Sequence, residues 1–207
     1  MGTSTRQPYL VLASQSPRRI ELLKMLGLSF EVLASNVDEL IDPTLPPAEL
    51  VVKLAKQKSA QIAKRLNDKK SAPFVVLGAD TLVVSDGKYL GKPATKEDAF
   101  HMLASLSGKV HEVYTGVSLI GNINRPEGVD ESIFQTSRVY FRELATQEIN
   151  AYIATGEPMD KAGAYAVQGI ASAFIDKIEG CYTNIIGLPI PLVVLMLRKA
   201  GIEVLGK

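Results

Sequence analysis

The chain reads as an α/β protein, and three observations carry that reading. Compact apolar runs of strand length alternate with stretches whose leucines, isoleucines and valines recur at helical spacing. The first such pair meets abruptly at residues 12–19 (LASQSPRR), where an apolar run passes directly into a helical pattern. Two later runs of strand composition, 110–120 and 133–141, flank a Gly/Asn/Pro-rich loop and read as an antiparallel hairpin with a long connection. At 207 residues the chain suits one domain or two small lobes around a cleft, and one domain is the simpler division. Residues 1–8 are expected to form a flexible N-terminal extension ahead of a single domain at 9–207.

Residues 9–13 (YLVLA) predict a short buried strand, and Ile20, Leu22, Leu23 and Leu26 a helix closed by Gly27. Ser16 is a good N-cap residue and Pro17 suits the first helical position, which puts Arg18 and Arg19 in the first turn. Cations there oppose the helix dipole, at a cost of ~0.3–1 kcal/mol. A bound phosphate would reconcile the arrangement by accepting from free backbone N–H groups and pairing with a guanidinium. Two solvated surface arginines that tolerate the small penalty remain the alternative.

Residues 30–34 (FEVLA) predict a second strand with Val37, Asp38 and Glu39 at its end, where carboxylates can reach a cleft. Pro43, Pro46 and Pro47 mark a loop before a helix with Leu50, Val51, Leu54 and Ala55 on its apolar side. Lys53, Lys56 and Lys58 fall on more than one face of that helix, so at most one or two can point at a common ligand.

Two apolar runs, 74–77 and 82–84, enclose Gly78-Ala79-Asp80-Thr81, which puts an acidic residue within or at the end of a buried strand. Burying a lone carboxylate is costly unless it is paired, hydrogen-bonded or bound to a metal, which makes Asp80 the first acid to suspect of function; a turn-forming Asp is the alternative. Asp86-Gly87 signals a hairpin turn, and Gly91-Lys92-Pro93 ends the returning segment, with Lys92 expected to project back toward Asp80. Thr95 and Asp98 form a capping-box-like start to a helix that runs to Leu106 and ends at Gly108. A further helix starts near Thr146, carries Ile149, Tyr152 and Ile153, and stops at Gly156. No periodicity explains 160–169, where glycines are expected to permit close backbone approach to a ligand. A strand at 174–179 precedes the last helix, opened by Gly187-Leu188-Pro189 and ended by Gly201.

Composition narrows the chemistry. Lys plus Arg (23) nearly balance Asp plus Glu (22), so no global charge favours nucleic acid or an anionic membrane, and any anion site must be local. The single cysteine, Cys181, excludes an internal disulfide, and no Cys/His cluster suggests structural zinc. No signal-peptide pattern opens the chain, and Pro189 and Pro191 interrupt its C-terminal apolar run, so a cytoplasmic location is expected. There is neither a G-x-S-x-G elbow nor a Walker A match, and the two histidines, His101 and His111, sit in helix and strand patterns. What remains is a set of phosphate-seeking cations and the acids Glu39 and Asp80 near strand ends. That combination suits metal-assisted hydrolysis of a phosphoanhydride.

The chain also resembles the Maf family of nucleotide pyrophosphatases over nearly its whole length. The resemblance rests on ASQSPRR at 13–19, VDE at 37–39, LAKQK at 54–58, GADT at 78–81, GKP at 91–93, LSG at 106–108, TGV at 115–117, EPMDKAGAY at 157–165 and GLP at 187–189. It implies a mixed, strongly twisted sheet flanked by helices, with two lobes around a deep cleft, similar to inosine triphosphate pyrophosphatases. It implies cleavage of a nucleoside triphosphate between the α and β phosphates, giving monophosphate and pyrophosphate with Mg or Mn. Asp80, Glu39 and Lys92 would form the catalytic set, with Asp80 accepting a proton or orienting water and Glu39 and Asp80 facing the metal. Ser14, Arg18, Arg19, Lys58 and Lys92 resemble phosphate contacts, with Lys161 also on the substrate side.

Arg18, Thr81 and Gln168 resemble the subgroup that prefers dTTP and UTP, including modified pyrimidines. Ala166 and Val167 stand where the usual pattern has Gly and Ile, and the added methyl is expected to trim or shift base preference. The expected partner is a nucleoside triphosphate, without nucleic acid or membrane; a homodimer is left open. A non-catalytic nucleotide-binding regulator of cell division is the alternative from another class, and a metal-independent phosphatase of nucleoside monophosphates is a third.

Overall fold

A computed structural model describes residues 7–37, 42, 44–69, 72–123 and 128–206. Most of the expected N-terminal extension, together with Asp38 and Glu39, lies outside the described residues. The strands are β1 (Tyr9–Leu12), β2 (Phe30–Val32), β3 (Phe74–Ser85), β4 (Lys88–Leu90), β5 (Val110–Asn122), β6 (Val129–Phe141) and β7 (Ile175–Glu179). The helices are α1 (Pro17–Lys24), α2 (Pro47–Asp68), α3 (Lys96–Leu106), α4 (Thr146–Ala154), α5 (Tyr182–Ile186) and α6 (Ile190–Lys199). They form one mixed seven-stranded sheet in the order β2-β1-β3-β5-β6-β7, with β4 paired to β3. β2, β1 and β3 are parallel, whereas β3, β5, β6 and β7 run antiparallel.

The two apolar runs around Asp80 are one strand. β3 continues through Gly78-Ala79-Asp80-Thr81 because β5 pairs with it throughout, Asp80 opposite Gly116 and Thr81 opposite Thr115. Alternation along β3 then sorts its side chains between two layers. Phe74 and Val76 pack with Ile62, Ala63 and Leu66 of α2, and Leu82 packs with Leu50, Val51 and Leu54 farther along the same helix. On the other face, Val75, Leu77 and Ala79 join Leu22 and Leu23 of α1 and Val193, Met196 and Leu197 of α6. Val83, two residues past Thr81, enters a different core with Ala99, Leu103 and Leu106 of α3 and Ile149, Tyr152 and Ile153 of α4.

The two lobes are therefore two apolar cores on one face of a continuous sheet, and a polar seam separates them. The Thr81 and Thr115 hydroxyl oxygens lie 3.0 Å apart, and the Thr115 hydroxyl donates to the Asn184 carbonyl at 2.9 Å. Asn184 Nδ2 donates to the Val113 carbonyl and to Ser137 Oγ, which itself donates to the Cys181 carbonyl. Cys181 is a partly buried residue just ahead of α5, with Sγ 3.2 Å from Thr183 Oγ1. α5 was not expected from the sequence: five residues are too few to display a helical period.

Local signals are realised at most element ends. Asp86 and Gly87 both take positive φ, 48° and 72°, between β3 and β4, as a type I′ hairpin turn requires. The Thr95–Asp98 capping box forms in both directions. Ser16 is a correction: it occupies the N-cap of α1, but its side chain makes no capping bond, and its N–H donates instead to Ser14 Oγ at 3.2 Å. The aperiodic segment after α4 contains three short 3-10 turns, Glu157–Asp160, Ala162–Ala164 and Ile170–Phe174. Among the described residues, no helix is long and apolar enough to cross a membrane.

Candidate active site

The cleft follows from strand lengths. β1 leaves the edge of β3 after Leu12 meets Leu77, and β4 joins that edge only where Leu90 meets Val83. Between them, residues 78–82 have no strand partner on that edge among the described residues. A cavity of about 380 Å³ opens there, between the first turn of α1, the segment after β4 and the segment 160–168. Ser14, Arg18, Arg19, Lys58, Asp80, Thr81, Lys92, Lys161 and Gln168 all line it. Glu39 lies outside the described residues.

Asp80 and Lys58 sit on the α2 side. Both are almost fully buried, at 5% and 6% exposure, and Lys58 Nζ lies 2.6 Å from Asp80 Oδ1. Removing two charges from water is expensive, and a close pair with further hydrogen bonds is what offsets that cost. The pair exists because α2 lies directly on the sheet. A Cβ on Gly78 would stand 2.4 Å from the Ala55 carbonyl oxygen, and one on Gly116 would stand 2.1 Å from that of Val51. Only glycine permits that approach, which carries Lys58 within reach of the strand.

The arginines part company at the start of α1. Arg19 turns inward: its Nε donates to the Gly187 carbonyl at 2.8 Å, Nη2 to Thr81 Oγ1 at 3.0 Å and Nη1 to Ser14 Oγ at 3.4 Å. It is thus tied to the polar seam as well as to the cavity. Arg18 faces across the mouth, where Nη1 meets Asp160 Oδ2 at 3.1 Å. The anion that the dipole argument demanded beside α1 includes a carboxylate of the protein itself, 142 residues along the chain.

Lys161 donates to the other oxygen of Asp160 and to the Glu157 carbonyl, the latter at 2.7 Å. The hydrogen bond from Lys161 is the largest influence on the Asp160 carboxyl and, with a smaller one from Arg18, outweighs the opposing effect of burial and holds it below its ordinary range. Asp160 carried no assigned role in the sequence; its signal, an Asp-Lys pair in an aperiodic stretch, gains meaning only once Arg18 stands opposite. Lys92, just after β4, lines the same cavity as Asp80.

Packing requires both glycines of the 160–169 stretch. Gly163 takes φ 71°, and a Cβ there would press on the Val83 side chain at 3.1 Å; a Cβ on Gly169 would stand 2.2 Å from Glu157 Oε1.

Neither histidine reaches the chemistry. His101 is exposed beside Glu97. His111 is buried with Nε2 2.8 Å from the Tyr165 hydroxyl, and burial pushes its ring down to about 4. Among the described residues, no group of three or more His, Cys, Asp or Glu side chains is arranged to hold a metal. Asp80 nevertheless offers a hard oxygen donor inside a cation-lined cavity. A magnesium ion that takes one or two protein carboxylates plus substrate phosphates and water would find that donor type there.

Taken together, the cavity can bind a polyanion along Arg18, Lys92 and Lys161 and present a buried carboxylate to it. Residues 9–200 match the family model described as "Maf-like protein". A dTTP/UTP pyrophosphatase of Caldicellulosiruptor saccharolyticus is 46% identical over 196 residues, covering 95% of this chain and 96% of the relative. One from Pelotomaculum thermopropionicum is 50% identical over 196 residues, covering 95% and 98%. Among solved structures, the Staphylococcus aureus Ham1 protein aligns with a TM-score of 0.47 at 16% identity, over 92% of this chain and 98% of that one.

Proposed function

Because this chain belongs to the Maf-like protein family, we infer that its cavity hydrolyses dTTP and UTP to the nucleoside monophosphate and pyrophosphate. The single observation that carries the reading is the Asp80–Lys58 pair, buried at the floor of a cavity whose rim is cationic. The rim cations would hold the β and γ phosphates, and Arg19, braced by Gly187 and Thr81, would fix the phosphate nearest the sheet. Asp80 Oδ2 is the atom assigned to orient the attacking water and take its proton, with Oδ1 steadied by Lys58. Gln168 on the opposite wall would face the base.

A divalent cation, Mg or Mn, is part of the proposal. Asp80 would contribute an oxygen to it, with Glu39 the second carboxylate implied by the family resemblance. When bound, the ion would neutralise charge developing on the phosphoanhydride oxygens. The protein's share is to position the polyphosphate and water and to shield the reacting bond.

The test is product analysis with dTTP and UTP in the presence of Mg or Mn. Equal yields of monophosphate and pyrophosphate are expected, and Asp80→Asn should lower kcat by about 100-fold or more. Asparagine keeps the shape and an acceptor oxygen for Lys58 but leaves its buried charge uncompensated, so the variant should be folded with a lowered Tm, and circular dichroism and turnover are measured well below that Tm. Release of free phosphate, binding without turnover, or a fully active Asp80→Asn would each overturn the assignment.

A further inference from the structure

The geometry points to Glu157 as a positioning residue for nucleotide selectivity: its carboxylate braces the cavity wall around Gln168 without lining the cavity itself. The inference rests on the pyrophosphatase reading, and it concerns how the base side of that site is held in place.

Glu157 begins the first 3-10 turn after α4, and its two oxygens have separate tasks. Oε1 accepts from the Tyr152 hydroxyl at 2.9 Å, and Oε2 accepts from the Ile170 N–H at 3.2 Å. The Tyr152 oxygen in turn accepts from the Ala166 N–H at 3.3 Å. One carboxylate therefore secures the backbone on both sides of Gln168, at 170 directly and at 166 through Tyr152. Tyr152 is itself fixed in the core with Phe174, their rings 5.2 Å apart and nearly perpendicular. The brace thus runs from a rigid core to a wall formed by Tyr165, Ala166, Val167 and Gln168.

Gly169 is an independent second observation. Its backbone angles, φ −102° and ψ −156°, do not lie in the left-handed region, so its backbone conformation is not the reason for glycine. Space is the reason, since a Cβ would stand 2.2 Å from Glu157 Oε1. The chain leaves out a side chain at the point where this carboxylate must sit. A methyl there would push the carboxylate off Tyr152 and Ile170, and the wall would lose its hold on both flanks of Gln168.

The consequence separates base from phosphate. Arg18, Arg19, Lys58 and Lys92 reach the cavity from α1, α2 and the segment after β4, and the Glu157 carboxylate bonds to none of these; Lys161 is held by the Glu157 backbone carbonyl, which a change of the side chain leaves in place. Loosening the brace should therefore weaken recognition of the nucleoside and spare recognition of the polyphosphate.

The experiment measures dTTP turnover together with inhibition by inorganic tripolyphosphate, which has no base. Wild-type turnover is measured first; without it the pyrophosphatase reading falls and this inference falls with it. Given turnover, Glu157→Gln and Gly169→Ala should each raise KM for dTTP about three- to tenfold, with kcat and the tripolyphosphate inhibition constant within about twofold of wild type. In a Glu157→Ala background, adding Gly169→Ala should change KM little further, because the obstructed carboxylate is gone. An unchanged dTTP KM in both variants, parallel weakening of dTTP and tripolyphosphate, or fully additive effects would overturn the role of Glu157. Thermal melts of each variant distinguish a shifted wall from an unfolded chain.

Discussion

Most buried polar side chains among the described residues are held by specific partners, and His111 shows what an incompletely satisfied one costs. Its Nε2 meets Tyr165, while Nδ1 is buried with no hydrogen-bond partner. Packed edge-on against Phe141 and Tyr165, the ring has little room for the charged form, and burial lowers its pKa from 6.5 to about 4. Between those two values the unfolded chain binds more protons than the folded one. The stability that neutral His111 contributes is therefore full above 6.5 and is lost as pH falls toward 4, up to about 3 kcal/mol. Urea unfolding at pH 7.5 and pH 5 should show the loss, and His111→Gln should flatten the difference. At this scale Asp80 was legible, because a carboxylate inside an apolar run demands an explanation. Glu157 and Asp160 were not: their neighbours follow no period, and Arg18, the partner of Asp160, lies 142 residues away.

Among elements, α2 does the most to place the chemistry. Its apolar side was readable from Leu50, Val51, Leu54 and Ala55, but its distance from the sheet was not. That distance depends on Gly78 and Gly116, which in the sequence look like interruptions of strands. Gly116→Ala places a methyl against the Val51 backbone oxygen, where no rotamer can relieve the contact. We expect a loss of about 2 kcal/mol or more, a Tm lower by roughly 4–8 °C, and a fall in kcat as Lys58 withdraws from Asp80. Calorimetry and turnover measured on one preparation check both effects; a stable, fully active Gly116→Ala would contradict the account of how α2 is seated. The continuity of β3 was half legible for the same reason: the pattern placed Asp80 within or at the end of a buried strand, and pairing with β5 across Gly78 and Asp80 decides for within.

For the molecule as a whole, two cores share one face of a sheet whose other face carries α2. Leu23 belongs to the first and Leu103 to the second, both fully buried. Truncating either to alanine should cost about 2–5 kcal/mol. Because β3 and β5 run through both cores, each variant should still unfold in a single transition. Far-ultraviolet circular dichroism and tyrosine fluorescence should coincide along a urea titration; Tyr152 and Tyr165 contribute the second core's share of the signal from seven tyrosines. Non-coincident curves for Leu103→Ala would show that the lobes melt separately.

The open stretch of β3 at 78–82 has one more consequence. A strand edge with unpaired peptide groups invites a foreign strand to add to it and so to seed aggregation. This one lies inside the cavity, covered by α1, the segment after β4 and the 160–168 wall, and covering an edge is one way to keep a foreign strand from adding to it. The outer borders of the sheet are guarded differently: β2 is three residues long, and β7 carries Asp176, Lys177 and Glu179. The protein thereby keeps a length of strand edge, without a strand partner among the described residues, facing its own cavity instead of the outer border of the sheet.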